Sequence, residues 1–157
     1  MNRILLAFFV FLVFTQAQAQ KITEEKLLGR WNLKAMRLGE IYADFNKDSL
    51  SYDKNWIKSG GQGEEETRRL IVAGLQDAVK KTEGNIVFSR GLIYSLTMLP
   101  DIINHVEKYN ITSDGKKYYI IPEKGNEKIG IRIESGILYW ELPAEGQTME
   151  MIFEKIK

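Results

Sequence analysis

The chain carries a single histidine, His105, and no cysteine. A lone imidazole can serve as a general base, but such catalysis needs a nucleophile or an orienting acid against it, and no motif flanks this one. His105 follows Pro100-Asp101 where a strand is about to begin, and a loop or surface position accounts for it. One imidazole without thiolates cannot complete the N/S ligand set of an ordinary zinc site. The missing thiols also exclude cysteine nucleophiles and iron–sulfur clusters.

Other candidates fail on their spacing. Asp44-Phe45-Asn46-Lys47-Asp48 matches the first half of a calcium loop, but the glycine position holds Ser49 and the twelfth position holds Asn55 instead of a bidentate glutamate. An acidic loop is the better reading. Gly60, Gly61 and Gly63 lead into a helix in the outline of a phosphate cradle. No strand precedes them, and Glu64, Glu65 and Glu66 at the helix start would repel phosphate, so a hinge fits better. Asn110-Ile111-Thr112 is a formal glycosylation sequon inside a predicted strand, where chance explains it. Carboxylates fall mostly on polar strand faces, where solvation explains them. No nucleophile, base and orienter can be assembled, so neither an enzyme nor a metal or other cofactor is expected.

The elements that would position a site are clearer. From Asn85 onward, apolar and polar residues alternate in seven short segments. Ile86 and Phe88 open the series, followed by Leu92, Tyr94, Leu96 and Met98, then Tyr109 and Ile111, then Tyr119 and Ile121. Ile129, Ile131 and Ile133 follow, then Leu138, Trp140 and Leu142, and last Met149, Met151 and Phe153. Period-two alternation places each set on one face of a strand. Turn signals such as Ser113-Asp114-Gly115 and Glu134-Ser135-Gly136 separate the segments. An antiparallel sheet with one apolar face removes its edges by closing into a barrel.

An eighth strand is expected over Arg30–Leu38, with Trp31, Leu33, Ala35 and Arg37 on one face and Asn32, Lys34, Met36 and Leu38 on the other. Its alternation is imperfect. Before it, Thr23, Glu24 and Glu25 start a short helical turn that Gly29 stops. Between the first and second strands, residues 39–84 form a helical insertion. Its helix runs from Glu64 to Lys81, with acids at the start, lysines near the end and Gly84 as C-cap. Ile71, Leu75, Ala78 and Val79 make its apolar stripe. A second, short helix fits around Lys47 to Lys58.

Residues 1–19 have the form of a secretory signal peptide. Asn2 and Arg3 precede an apolar run from Ile4 to Phe14 that is too short to span a bilayer, and Ala17-Gln18-Ala19 suits signal peptidase. Residues 20–157 then form one domain, expected in the periplasm or outside the cell, with no membrane span after the leader is removed. Loss of Arg3 leaves one fewer than the 22 basic residues of the full chain, level with the 21 acidic ones. That balance argues against nucleic-acid and anionic-membrane partners. Without disulfides, an exported domain of this size draws its stability from its core.

Leu27-Leu28-Gly29-Arg30-Trp31-Asn32-Leu33 resembles the start of lipocalin-like (calycin-type) domains, in which a helical turn leads to glycine, any residue and tryptophan at the first strand. The resemblance is strongest to small exported lipocalin-like domains of Bacteroidetes-type bacteria. It implies a mainly β fold: an eight-stranded antiparallel up-and-down β-barrel with a helical insertion. It also implies a structural anchor in which Trp31 packs across the closed end beneath a basic residue of the last strand, matched here by Gly29, Trp31 and Lys155. The helix in the first long connection departs from the lipocalin pattern and is more similar to the helical lid of fatty-acid-binding proteins.

Two functions follow as expectations. One is binding of a small hydrophobic or amphipathic molecule inside the barrel, under the helix. Its lining would be Phe88, Tyr94, Leu96, Tyr109, Tyr119, Ile131, Trp140 and Met151, with Ile71 and Leu75 from the helix. Tyr94, Tyr109 and Tyr119 would be the polar handles. The other is a solid-core barrel acting as a periplasmic or cell-surface interaction module, since small barrels are often filled by their own side chains. The protein partner in that case is unspecified by the sequence.

Overall fold

Alternation from Gly29 onward becomes strand pairing throughout the computed structural model, which describes residues 21–59, 61–99, 103–125, 127–144 and 146–156. The expected leader lies outside the described residues. A one-turn helix α1 (Glu24–Leu27) leads into the ten-residue strand β1 (Gly29–Leu38). A hairpin of β2 (Ile41–Asp44) and β3 (Ser49–Tyr52) follows, then α2 (Lys54–Lys58) and α3 (Gln62–Val79). Seven strands complete the chain: β4 (Glu83–Ser89), β5 (Ile93–Leu99), β6 (Ile103–Ser113), β7 (Tyr118–Pro122), β8 (Ile129–Glu134), β9 (Ile137–Ala144) and β10 (Gln147–Lys155).

Strand β1 and strands β4 to β10 pair antiparallel in sequence order, and β10 pairs back onto β1, closing an eight-stranded up-and-down barrel. Closure leaves no free edge among the eight. Local chemistry drives the tight connections. Between β8 and β9, Ser135 and Gly136 both adopt positive φ, 50° and 81°, the two-residue hairpin geometry whose twist matches the strands.

β1 is longer than the partner on one of its edges. Gly29–Asn32 pairs with β4, and beyond a gap the same edge at Ala35–Leu38 pairs with β2. The β2–β3 hairpin therefore branches from the barrel wall ahead of the helices of the insertion. Ile41 and Ala43 supply its buried face. The Asp44–Asp48 run is its turn, where the Asp44 carboxylate accepts hydrogen bonds from the backbone N–H groups of Asn46 and Lys47, both at 3.1 Å.

A β-bulge sits between Leu33 and Ala35. Trp31 and Leu33 oppose Lys155 and Phe153, but past the bulge Met36 and Leu38 oppose Met151 and Met149. An extra residue reverses the facing of everything after it. The expected face of Trp31, Leu33, Ala35 and Arg37 is thus corrected: Met36 and Leu38 continue the inward set, and Arg37 turns outward to the Tyr42 ring and Glu150.

Helix α3 spans Gln62–Val79 and ends at Lys80 in helical conformation. Gly84 is not its C-cap. It lies within β4, facing inward, where a Cβ would stand 2.6 Å from Met98 Sδ and 3.2 Å from Leu33 Cδ2. The buried stripe is also shifted, with Val72 and Val79 buried while Ile71 is 44% exposed and Leu75 half-buried. The cause is the hairpin: α3 packs on α2 and on β2–β3, and that surface selects Val72 over Ile71. Among the described residues no helix is long and apolar enough to cross a membrane.

Candidate functional site at the open end of the barrel

Fully buried and half-buried inward-facing residues occur at both ends of the barrel. At the α1 end, Leu27, Trp31, Ile86, Leu138 and Phe153 are fully buried. The Trp31 indole N–H donates to the Leu27 carbonyl at 2.7 Å, and the Lys155 ammonium lies 5.0 Å from the ring centroid. Gly29 carries φ +112°, a conformation side chains with a Cβ rarely adopt, and this brings β1 in beneath Lys155. Glu24 ties α1 to the β4–β5 turn by accepting from the N–H groups of Gly91 and Leu92 at 2.6 and 3.0 Å. This end is closed.

The middle is filled by rings. Tyr94 stands among Phe88, Tyr109 and Trp140 at centroid distances of 6.4, 6.0 and 5.6 Å, and all four are buried. The Tyr109 hydroxyl is buried without a hydrogen-bond partner among the described residues. Burial, reinforced by the Glu24 charge, pushes that phenol up to about 12. Tyr94 is pushed up to about 12 as well, by burial first and then by the Glu107 carboxylate.

The far end differs in composition rather than in burial. Leu96 and Met98 of β5, Leu142 of β9 and Met149 of β10 pack against the core yet remain half-buried. Met36 and Leu38 of β1 join this set after the bulge. Beneath lie buried Ile131, Trp140 and Met151. Besides Met1 the chain has four methionines, and all four, Met36, Met98, Met149 and Met151, are inward positions in this half of the barrel. Methionine is unbranched and polarizable, and it reshapes around irregular apolar partners more readily than leucine or isoleucine.

A polar pair completes the rim. His105 and Glu107 alternate with Tyr109 on the inward face of β6, opposite Leu96 and Tyr94 of β5. Glu107 Oε2 meets His105 Nε2 at 2.5 Å, and Glu107 Oε1 accepts from the backbone N–H of Lys124 in the β7–β8 loop. Burial acts to raise the Glu107 pKa. The hydrogen bonds from Lys124 and His105 and the nearby positive charges outweigh it and hold the carboxyl below its ordinary range. His105 is therefore an exposed strand residue, a surface position rather than a loop one, with an acid beside it. The missed signal was a glutamate in the apolar phase of a strand.

Of the expected lining residues, Phe88, Tyr94, Leu96, Tyr109, Ile131, Trp140 and Met151 lie inside the barrel. Tyr119 does not. Tyr118, Ile120 and Pro122 take the inward phase of β7, and the Tyr119 hydroxyl donates to Asp114 at 2.8 Å on the outer surface. Both phases of Tyr118-Tyr119-Ile120-Ile121 are apolar, so alternation could not choose between them. Ile71 is turned to solvent and does not line this interior, while Leu75 is half-buried on α3.

No protein-family model matches the chain, and no curated protein matches it. Among solved structures the chain is similar to human cRBP IV at 15% identity, covering 83% of this chain and 98% of that one with a TM-score of 0.37. It is similar to the Echinococcus granulosus fatty-acid-binding protein 1 at 11% identity, over 85% of this chain and 99% of that one, TM-score 0.41. A mutant of the fluorescent protein UnaG gives 12% identity over 86% and 99%, TM-score 0.44. The fold rests on the strand pairings above, and the ligand chemistry rests on the barrel's own side chains.

Proposed function

We propose that the protein binds a small hydrophobic or amphipathic molecule at the open end of its barrel. The observation that carries this is the composition of the end away from α1, where the inward-facing Met36, Met98, Met149, Leu96 and Leu142 are left half-buried. Apolar surface left incompletely covered inside a concave wall gains free energy when a ligand covers it, by about 25 cal/mol per Å². The apolar part of the ligand lies against Leu96, Met98, Leu142 and Met149, over Trp140 and Met151. Its polar end meets the rim at His105, whose second ring nitrogen is left for it once the first is engaged by Glu107.

Turnover is not part of the proposal, because among the described residues His105 and Glu107 have no nucleophile placed against them. Export as a lipocalin-like domain to the periplasm or cell exterior belongs to the same reading and is supported by the leader-like residues 1–19. Native mass spectrometry of the protein purified from its own cells tests the binding role. A stoichiometric small molecule, released by organic solvent, is expected; consistently bare protein at several growth conditions contradicts it.

The rival reading, a solid-core interaction module, is favoured by the packed rings of Phe88, Tyr94, Tyr109 and Trp140. These rings limit a ligand to the outer half of the barrel. A ligand-free protein that captures one stoichiometric protein partner would replace the first reading with this one.

A further inference from the structure

A separate crevice opens on the outer wall, where β4 parts from β1 and the hairpin takes over the β1 edge. It encloses 450 Å³, within the roughly 300–1,000 Å³ typical of small-molecule sites. A second crevice of 210 Å³ adjoins it, and the two share Asn32, Leu33 and Asn46.

The floor is a cross-strand row. Asn32 of β1 stands opposite Asn85 of β4, which stands opposite Thr97 of β5. Each alternates with inward residues, so all three face outward, about 5 Å apart from strand to strand. Phe45 and Asn46 form the wall, and the Phe45 N–H donates to the Lys34 carbonyl at 2.9 Å, fixing the hairpin against β1.

Three features define the chemistry this groove can take. The side-chain amides of Asn32, Asn46 and Asn85 have no hydrogen-bond partner among the described residues, and each offers both donors and an acceptor. In the larger crevice charge is balanced, with Arg30 offset by Glu83; in the adjoining one Lys34 pairs with Glu154 at 3.5 Å and the further cation, Lys155, lies over the Trp31 ring. An anion would find no surplus of cations, and a purely apolar ligand would strip water from amides it could not satisfy. Phe45 adds one aromatic surface beside the polar floor. From this combination we infer that the outer groove is a binding site for a neutral saccharide chain. Vicinal hydroxyls, which donate and accept, match the amide row, and the C–H face of a sugar ring packs on Phe45. The amide row faces away from the barrel interior, while Leu33 and Gly84 of the inward set border the crevice where β1 and β4 part.

The test is a titration of ¹⁵N-labelled protein with maltohexaose, cellohexaose and chitohexaose, and with a sulfated heparin hexasaccharide as charge control. At least one neutral glycan is expected to give saturable shifts at Asn32, Asn85 and Thr97 that persist at high salt. Asn32→Ala and Asn85→Ala should each weaken that binding by roughly two- to tenfold, one hydrogen bond's worth. Asn85→Ser serves as a second variant, with melting curves verifying the fold of each. No saturable shift with any neutral glycan, binding of the sulfated chain alone, or unchanged affinity in folded asparagine variants overturns the inference.

Discussion

The Lys155 ammonium stands 5.0 Å over the Trp31 ring, joining the last strand to the first at the α1 end of the barrel. The same ammonium donates to the Lys26 carbonyl at 3.3 Å, so β10, β1 and α1 meet through two side chains. Trp31→Ala removes a fully buried indole and the hydrogen bond to Leu27, and is expected to cost about 3–5 kcal/mol. Lys155→Met keeps most of the stem's packing but loses the cation–π contact, with an expected cost of about 0.5–1 kcal/mol. Urea denaturation of both variants checks the pair; a Trp31→Ala midpoint equal to wild type would remove the anchor role.

Tyr109 offers an inverse prediction. Its hydroxyl is buried and unpartnered among the described residues, and a buried group without a partner carries its desolvation cost with no return. Tyr109→Phe is therefore expected to leave stability unchanged or raise it by up to about 1 kcal/mol. A loss of more than about 1 kcal/mol in the same assay would mean that the hydroxyl has a partner in solution.

Glu107 makes the stability depend on acid. A carboxyl whose folded pKa lies below its unfolded value, about 4.3, contributes stability above that value and loses it as pH falls through the folded one. Glu107→Gln is expected to cost about 1–3 kcal/mol at neutral pH, by weakening the bonds to Lys124 and His105. It should also flatten the stability profile below about pH 5 relative to wild type. Parallel profiles for the two proteins would show that Glu107 is not held as described.

Much of this architecture is legible in the residue pattern because β4 to β10 alternate strongly and short turns leave each strand one neighbour to pair with. Legibility failed where two phases were equally apolar, as at Tyr119, and where one inserted residue reversed a face, as at Lys34 in β1. It failed also for β2 and β3, whose four-residue strands are too short to show a period and are stabilised by α3 packing on them. The shift from Ile71 to Val72 has the same origin, since a helix with apolar residues at both positions lets the surface it meets decide. His105 and Glu107 became visible as a pair only once β6 placed them on one face. The methionine rim needed the β1 bulge, because Met36 joins Met149 and Met151 only after the phase has changed.

The most direct measurement is a fluorescence titration with a dansylated fatty acid, read by energy transfer from the tryptophans, of which Trp140 lies beneath the rim. Saturable one-to-one binding is expected for wild type. Leu142→Lys and Met149→Glu place a charge among half-buried apolar side chains that a ligand must cover, and each should weaken binding at least about tenfold while the protein stays folded. An Ile71→Glu control on the exposed face of α3 should bind as wild type does. Absence of saturable binding, or equal affinity in the folded Leu142→Lys and Met149→Glu variants, would contradict a ligand site at the open end of the barrel.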